Sequence, residues 1–133
     1  MKSIKVGLIV LAGAFLAAPS PGQAQQLIAE YYTLLTGADL RNSSGAALGS
    51  FCAIVQQDRA NHHRFGIRHD GDQWDPIFAD PAARAQISAN CQLAAGSEYL
   101  PSAIAQYGTR YVWVRVYGSG TWPTMVLVSE GAG

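Results

Sequence analysis

Alternating side chains near the C-terminus constrain the fold of this chain more than any other feature. In residues 110–117, RYVWVRVY, the pattern repeats with period two, so that three valines share one face of a predicted strand. Residues 118–121, GSGT, are typical of a loop, and residues 124–129, TMVLVS, form a second apolar run. Pro123 stands at the entry to that run, where a missing N–H costs little. We therefore predict a β-hairpin that supplies two adjacent strands of a sheet.

The N-terminal half of the chain adds one strand and one helix to this prediction. Tyrosine and threonine side chains favour a strand over residues 31–35. Ser50 is typical of an N-cap, and an apolar stripe that begins at Phe51 predicts a helix ending near Gly66.

The segment between this helix and the hairpin is predicted to be helical. Asp80 is typical of a cap, and Pro81 fits the first position of a helix through residues 82–95. Residues 101–107 predict one more short helical segment. Together these elements predict a small single α+β domain. Its antiparallel sheet consists of the C-terminal hairpin and the N-terminal strand, with two or three helices on one face.

The first 24 residues are typical of a secretory signal peptide. Two lysines precede an uninterrupted apolar stretch over residues 6–18, and the small residues Gly22 and Ala24 fit a cleavage site. The apolar stretch is too short to span a membrane, which takes about 20 residues. We expect cleavage after Ala24, which leaves one globular domain, residues 25–133, exported to the periplasm or the medium. No stable membrane insertion is expected after cleavage.

The charge of the processed chain limits the partners that we expect. The nine Lys and Arg residues include the two lysines of the signal peptide, so 9 − 2 = 7 arginines face nine acidic residues, a net charge of −2. Nucleic-acid and anionic-membrane binders rest on clustered positive charge. We therefore expect no nucleic-acid partner, and the net charge argues against a dedicated binder of anionic membranes.

Two cysteines, Cys52 and Cys91, are predicted to form a disulfide. An even pair in an exported protein most simply pairs in this way. Closing so long a loop stabilises the fold by about 3–4 kcal/mol on chain-entropy grounds.

Aromatic and cationic side chains on the second face of the first hairpin strand are the candidates for binding. The strand supplies Tyr111, Trp113, Arg115 and Tyr117, and a polar loop adds Trp74 as a fifth candidate. Tyr, Trp and Arg are enriched at recognition hot spots, and flat rings also suit sugars. A chain of this size has little material to cover both faces of a sheet. We nevertheless expect that a helix covers this face and buries its aromatic side chains. The alternative is that the face is exposed.

A polar stretch over residues 56–75 carries the candidates for catalysis. Asp58 and His62 are four residues apart on the predicted helix, where the carboxylate could orient the imidazole, and His63 lies on the neighbouring face. The chain has no G-x-S-x-G elbow, phosphate loop or dinucleotide fingerprint. We therefore favour the alternative that these residues form surface pairs of small energetic value.

The same stretch contains six side chains of metal-ligand type, His62, His63, His69, Asp70, Asp72 and Asp75, of which the last four are the candidates for a metal site. Their spacing does not match a zinc motif. The loop from Asp70 has the look of a calcium loop, but its twelfth position is Pro81, where an EF-hand needs glutamate. We expect no cofactor and a solvated loop paired with nearby arginines. A bound Ca²⁺ or Zn²⁺ is the alternative.

These observations lead to a first hypothesis and two competitors. The first is a small exported, disulfide-linked domain that binds an envelope protein or a glycan without catalysis. The second is a small metal-dependent or acid–base hydrolase that uses the His and Asp residues of residues 58–75. The third is an assembly factor with no ligand. The missing nucleophile motif favours binding over catalysis.

Overall fold

A four-stranded sheet organises the fold. The computed structural model describes residues 25–132, together with the isolated positions Ser3, Gly7 and Gly13. Apart from these positions, the predicted signal peptide lies outside the described residues. In chain order the elements are β1 (Gln26–Leu35), a 3-10 turn (Gly37–Leu40), α1 (Phe51–His63), α2 (Pro81–Arg84), α3 (Ile87–Asn90), β2 (Cys91–Leu93), α4 (Leu100–Tyr107), β3 (Arg110–Ser119) and β4 (Trp122–Glu130).

The strands follow the spatial order β1-β3-β4-β2. β3 pairs antiparallel with both β1 and β4, whereas β2 pairs parallel with β4. The predicted hairpin is confirmed as β3 and β4, and β1 completes the antiparallel part of the sheet. The prediction of a small α+β domain with a largely antiparallel sheet is therefore confirmed.

One face of the sheet carries the hydrophobic core. Val112, Val114 and Val116 of β3 are fully buried there, as are Val126 and Val128 of β4. Helical and loop residues pack on the same side and belong to the same core: Phe51, Ile54, Val55, Ile77, Phe78, Ile87, Leu100 and Ile104. Among residues 25–132, no helix covers the opposite face, whose aromatic side chains remain half-buried. The expectation of a helix over that face was wrong, because the described helices pack against the face that carries the valines.

α1 begins as predicted and ends earlier than predicted. The Ser50 side chain accepts a hydrogen bond of 3.1 Å from the Ala53 amide, which is the predicted N-cap. The helix ends at His63, and Gly66 adopts a left-handed conformation with φ of 65° in the turn that follows.

The prediction of a long helix after Asp80 was wrong beyond its first turns. The Asp80 side chain accepts a hydrogen bond from the Ala82 amide, as expected for an N-cap. The chain leaves helical geometry at Cys91, however, where φ and ψ are −86° and 136°. Cys91 then starts β2, which pairs with the outer edge of β4 over Val126–Val128. The unpaired backbone of that edge offers hydrogen bonds that outweigh the helical preference of this short segment.

The predicted disulfide between Cys52 and Cys91 is confirmed. It joins the first turn of α1 to the start of β2, with 5.7 Å between the two Cα atoms and a sequence separation of 39. The bond therefore connects the helical layer to the edge of the sheet. No helix within residues 25–132 is long and apolar enough to cross a membrane.

Candidate functional site

The outward face of the sheet brings four of the five predicted binding residues together. We call it the aromatic face. Strand alternation places Tyr111, Trp113, Arg115 and Tyr117 on the side opposite the valines. The register of the sheet adds further members to this face: Leu27 and Tyr32 from β1, and Met125 and Leu127 from β4. Sequence reasoning missed Tyr32, although its alternation with the buried Tyr31 and Thr33 is the signal that could have found it.

Stacked side chains run across the aromatic face. The ring of Tyr32 stacks on Tyr111, with centroids 5.6 Å apart, and on Trp113, with centroids 5.9 Å apart. The guanidinium of Arg115 lies 4.1 Å from the centre of the Trp113 ring. Arg115 Nη2 also donates a 2.9 Å hydrogen bond to the Ser129 hydroxyl. Neighbours therefore occupy ring faces along this row, and the side chains hold one another in place.

A loop braces one end of this row. The Gln73 amide donates to the Tyr32 carbonyl at 2.8 Å, and the Tyr32 amide donates to Gln73 Oε1 at 3.0 Å. The Tyr111 hydroxyl reaches the Gly71 carbonyl at 3.4 Å. The loop thus covers part of the free edge of β1, whose unpaired backbone groups would otherwise be available to pair with another strand. Trp74, the fifth predicted binding residue, follows in this loop and is 64% exposed.

The opposite end of the aromatic face is open and apolar. Leu27, Tyr117 and Met125 lie side by side across β1, β3 and β4. Leu27 is 50% exposed, and Trp122 at the start of β4 is also exposed. A surface that combines a rigid aromatic and arginine row with an open apolar end has the composition of a protein-binding hot spot.

The catalytic candidates lie instead in a buried polar network between α1 and the sheet. At its centre is Arg59, whose side chain is fully buried. Arg59 Nε donates to Asp58 Oδ2 and Nη1 donates to Asp75 Oδ1, both at 2.9 Å. The guanidinium also lies 4.0 Å from the centre of the Tyr31 ring. A buried arginine needs such partners, because an unpaired charge would be strongly destabilising.

Asp75 is held as a charged structural anchor. It accepts hydrogen bonds from His63 Nε2 at 2.6 Å and from the backbone amides of Ile77 and Phe78. Burial raises the pKa of Asp75, but these donors and Arg59 outweigh it, so that the pKa lies below its ordinary value. His63 is therefore engaged with Asp75 and not free for a substrate.

Of the two carboxylates that bond to Arg59, Asp58 is less stabilised in its charged form than Asp75. Burial raises the pKa of Asp58 to about 7, against the opposing effects of Arg59 and the Thr33 hydroxyl. The hydrogen-bond geometry agrees, because Thr33 Oγ1 lies 2.9 Å from Asp58 Oδ1 and 3.1 Å from Asp72 Oδ1. One hydroxyl proton cannot serve both carboxylates, so the Thr33 hydroxyl stabilises the charged form of Asp58 only in part.

The predicted pair of Asp58 and His62 does not form. His62 is 3% exposed, and neither of its ring nitrogens has a hydrogen-bond partner among the described residues. Burial, together with the smaller effects of the nearby Arg59 and Arg68, lowers the pKa of His62 to about 4. His62 is thus a neutral, buried imidazole that makes an edge contact with the His63 ring.

Of the four metal-ligand candidates, the structure brings together His69 and Asp72, whose Nδ1 and Oδ2 atoms lie 3.4 Å apart. Asp72 accepts hydrogen bonds from the amides of Leu34 and His69, at 2.8 and 2.7 Å, and so ties the loop to β1. Asp70 is exposed, whereas Asp75 belongs to the buried network. Within residues 25–132, no three His, Cys, Asp or Glu side chains are arranged so that they could hold a metal ion.

A cavity of about 530 Å³ lies apart from every predicted site residue. It is bounded by the segment before α1, the first turns of α1 and α4, and its walls are mainly apolar, including Leu48, Phe51 and Ile104. Its one charged lining residue, Arg41, donates to the Gly45 carbonyl at 3.0 Å. Volume alone does not make a site, and we place more weight on the aromatic face, where polar and aromatic groups converge.

No protein family model, curated protein or solved structure matches this chain.

Proposed function

We propose that this protein is an exported, non-catalytic binding module that holds a protein of the cell envelope on its aromatic face. The observation that carries the proposal is the row of stacked side chains formed by Tyr111, Tyr32, Trp113 and Arg115, on a sheet face that no described helix covers. A side-chain row that is already ordered loses little entropy on binding, which favours affinity.

The geometry of the rings favours a protein partner over a glycan. A sugar that stacks on an aromatic residue needs an open ring face. Tyr32 stacks on two neighbouring rings, and Trp113 has both Tyr32 and the Arg115 guanidinium against it. The open apolar end around Leu27 and Tyr117 suits the apolar side chains of a protein surface instead.

The state of the catalytic candidates supports binding over hydrolysis. Asp58 and His62 are almost completely buried, and His63 is bonded to Asp75 at 2.6 Å. A general acid or base must come within hydrogen-bond reach of its substrate. The disulfide between Cys52 and Cys91 is compatible with an oxidising compartment, as expected for an exported chain.

The proposal is tested by capture from the envelope fraction of the host with immobilised, oxidised domain. A captured protein is identified, purified and rebound. We expect Trp113→Ala to weaken rebinding by about 30-fold, the effect of losing a hot-spot residue of 2 kcal/mol. Tyr107→Ala is the matched control, because Tyr107 is an exposed aromatic residue on α4, away from this face. Thermal midpoints of both variants show whether the fold is intact.

Treatment of the fraction separates the two classes of partner. Protease treatment should abolish capture, whereas periodate oxidation of glycans should leave it unchanged. Capture that survives protease and is lost after periodate would replace the protein partner by a glycan. Equal rebinding by Trp113→Ala and the wild type, with both folded, would contradict the aromatic face as the site.

A further inference from the structure

Two apolar side chains stand out from the turn that follows α1. The segment Arg64–Phe65–Gly66–Ile67–Arg68 reads RFGIR. Phe65 is 43% exposed and Ile67 is 42% exposed, and Gly66 between them has a φ of 65°. Phe65 and Ile67 thus form one contiguous exposed apolar patch with arginines on both sides, and contiguous patches rimmed by polar residues mark protein or membrane interaction sites.

The backbone of this turn is firmly attached to the end of α1. The Ile67 amide donates to the Asn61 carbonyl at 2.8 Å, and the Arg64 amide donates to the Ala60 carbonyl at 2.8 Å. Arg68 Nε donates to the His62 carbonyl at 3.2 Å. These bonds satisfy the last carbonyls of the helix, as a C-terminal cap must. They explain the path of the backbone, but they do not explain why the two presented side chains are apolar.

A cluster of arginines surrounds the apolar pair. Arg64 and Arg68 flank it in sequence, and Arg41 lines a cleft of about 320 Å³ together with Phe65 and Ile67. Within residues 25–132, none of these three arginines forms a salt bridge with a carboxylate. The nearest exposed acid along the chain is Asp70. Three of the seven arginines of the processed chain thus gather around one apolar turn.

A role in the helix accounts for only part of this cluster. Cations near the C-terminus of a helix favourably oppose its dipole, which applies to Arg64 and Arg68. The same argument does not apply to Arg41, which comes from the segment before α1, or to the exposed Phe65 and Ile67. The combination matches the chemistry of an anionic lipid surface, which offers phosphate groups above an apolar layer.

We propose that this turn docks the domain on a bilayer that contains anionic phospholipid. Phe65 and Ile67 enter the interfacial layer, and Arg41, Arg64 and Arg68 contact lipid phosphates. The net charge of −2 argues against binding to an anionic membrane through the overall charge of the domain, but this contact is local, because charges farther away than about 8 Å are largely screened at physiological salt. α1 packs on the valine side of the sheet, so docking through its terminal turn leaves the aromatic face free.

The inference is tested by sedimentation of the oxidised domain, residues 25–133, with sucrose-loaded vesicles. The domain contains every element of the fold described above. Vesicles of phosphatidylcholine with phosphatidylglycerol should bind it, vesicles of phosphatidylcholine alone should bind it far less, and added salt should release it. Arg64→Gln combined with Arg68→Gln should lower partitioning by about 25-fold, since each arginine near an anionic surface contributes about fivefold.

A second variant pair separates the turn from general hydrophobicity. Phe65→Ser combined with Ile67→Ser should lower binding to the anionic vesicles by about tenfold or more. Leu27→Ser is the matched control, because Leu27 is similarly exposed but lies on the aromatic face. Absent binding to the anionic vesicles, equal binding to both vesicle types, or an equal loss with Leu27→Ser would overturn the inference. None of these results depends on the protein partner proposed above.

Discussion

Replacement of the buried His62 by leucine is expected to stabilise the fold, and to do so more strongly at acidic pH. Both ring nitrogens of His62 are buried without a partner among the described residues. An unsatisfied buried polar group costs about 1–3 kcal/mol, so the substitution should add about 1 kcal/mol to the free energy of unfolding at pH 7. Leucine also has a higher helix propensity and a similar volume.

The pH dependence follows from the lowered pKa of His62. In the unfolded chain the imidazole binds a proton below about 6.5, whereas in the folded chain burial keeps it neutral down to about 4. The unfolded state therefore binds more protons at this site between these values, and the contribution of His62 to the stability of the wild type falls as pH decreases. At about 1.4 kcal/mol for each pH unit, this one group removes about 3 kcal/mol between pH 6.5 and pH 4.

Urea unfolding of wild type, His62→Leu and His62→Gln from pH 4 to pH 8 measures this contribution. Glutamine keeps a polar group at the position but does not titrate. It therefore distinguishes the effect of protonation from the effect of an unsatisfied polar group. Both variants should gain about 3 kcal/mol over the wild type on going from pH 6.5 to pH 4. A constant difference across this range would refute a neutral, buried His62, and a destabilised His62→Leu at pH 7 would show that its nitrogens have partners.

Three further predictions concern the same fold. Asp58 acts in the opposite direction to His62. Because burial raises the folded-state pKa of Asp58 to about 7, its contribution to the free energy of unfolding should fall by up to about 4 kcal/mol as pH rises from 4 to 7, so that in urea titrations the stability of Asp58→Asn relative to the wild type should rise by the same amount. Cys52→Ser should lower the free energy of unfolding by about 4 kcal/mol for a loop of this separation, and an unchanged urea midpoint would contradict a formed disulfide. Gly118→Ala should lower the free energy of unfolding by about 2 kcal/mol, because the added methyl group would clash with the Trp122 carbonyl. Gly37→Ala is the control, because a methyl group at position 37 has no neighbouring atom within 4 Å. Equal thermal midpoints for the two variants would contradict the packing at Gly118.

Local patterns predicted much of the fold because local physics determines those parts. The period-two alternation in β3 reports directly on its two faces, and the Ser50 and Asp80 side chains make the cap bonds that their residue types favour. The sequence could not predict β2, because its residues become a strand only through pairing with the edge of β4. That contact is decided by tertiary structure and not by local preference.

The site was predicted in part for the same reason. Tyr111, Trp113, Arg115 and Tyr117 share a face because one strand carries them all. Tyr32 joins them only through the register between β1 and β3. The polar residues of α1 were expected at a helix surface, but the sheet and the loop before α2 bury them, so that Asp58 bonds to Arg59 and not to His62. Spacing along a helix identifies which residues share a face, but not what that face meets.

Photo-crosslinking in living cells of the host shows which surface of the folded protein is in contact with a partner. A benzophenone amino acid replaces either Tyr117 on the aromatic face or Tyr107 on α4, both tyrosines of the same domain. If the aromatic face holds an envelope protein, we expect a discrete adduct with one such protein from position 117 and none from position 107. Identical adducts from both positions, or none from position 117 in exported and folded protein, would contradict the aromatic face as the binding surface.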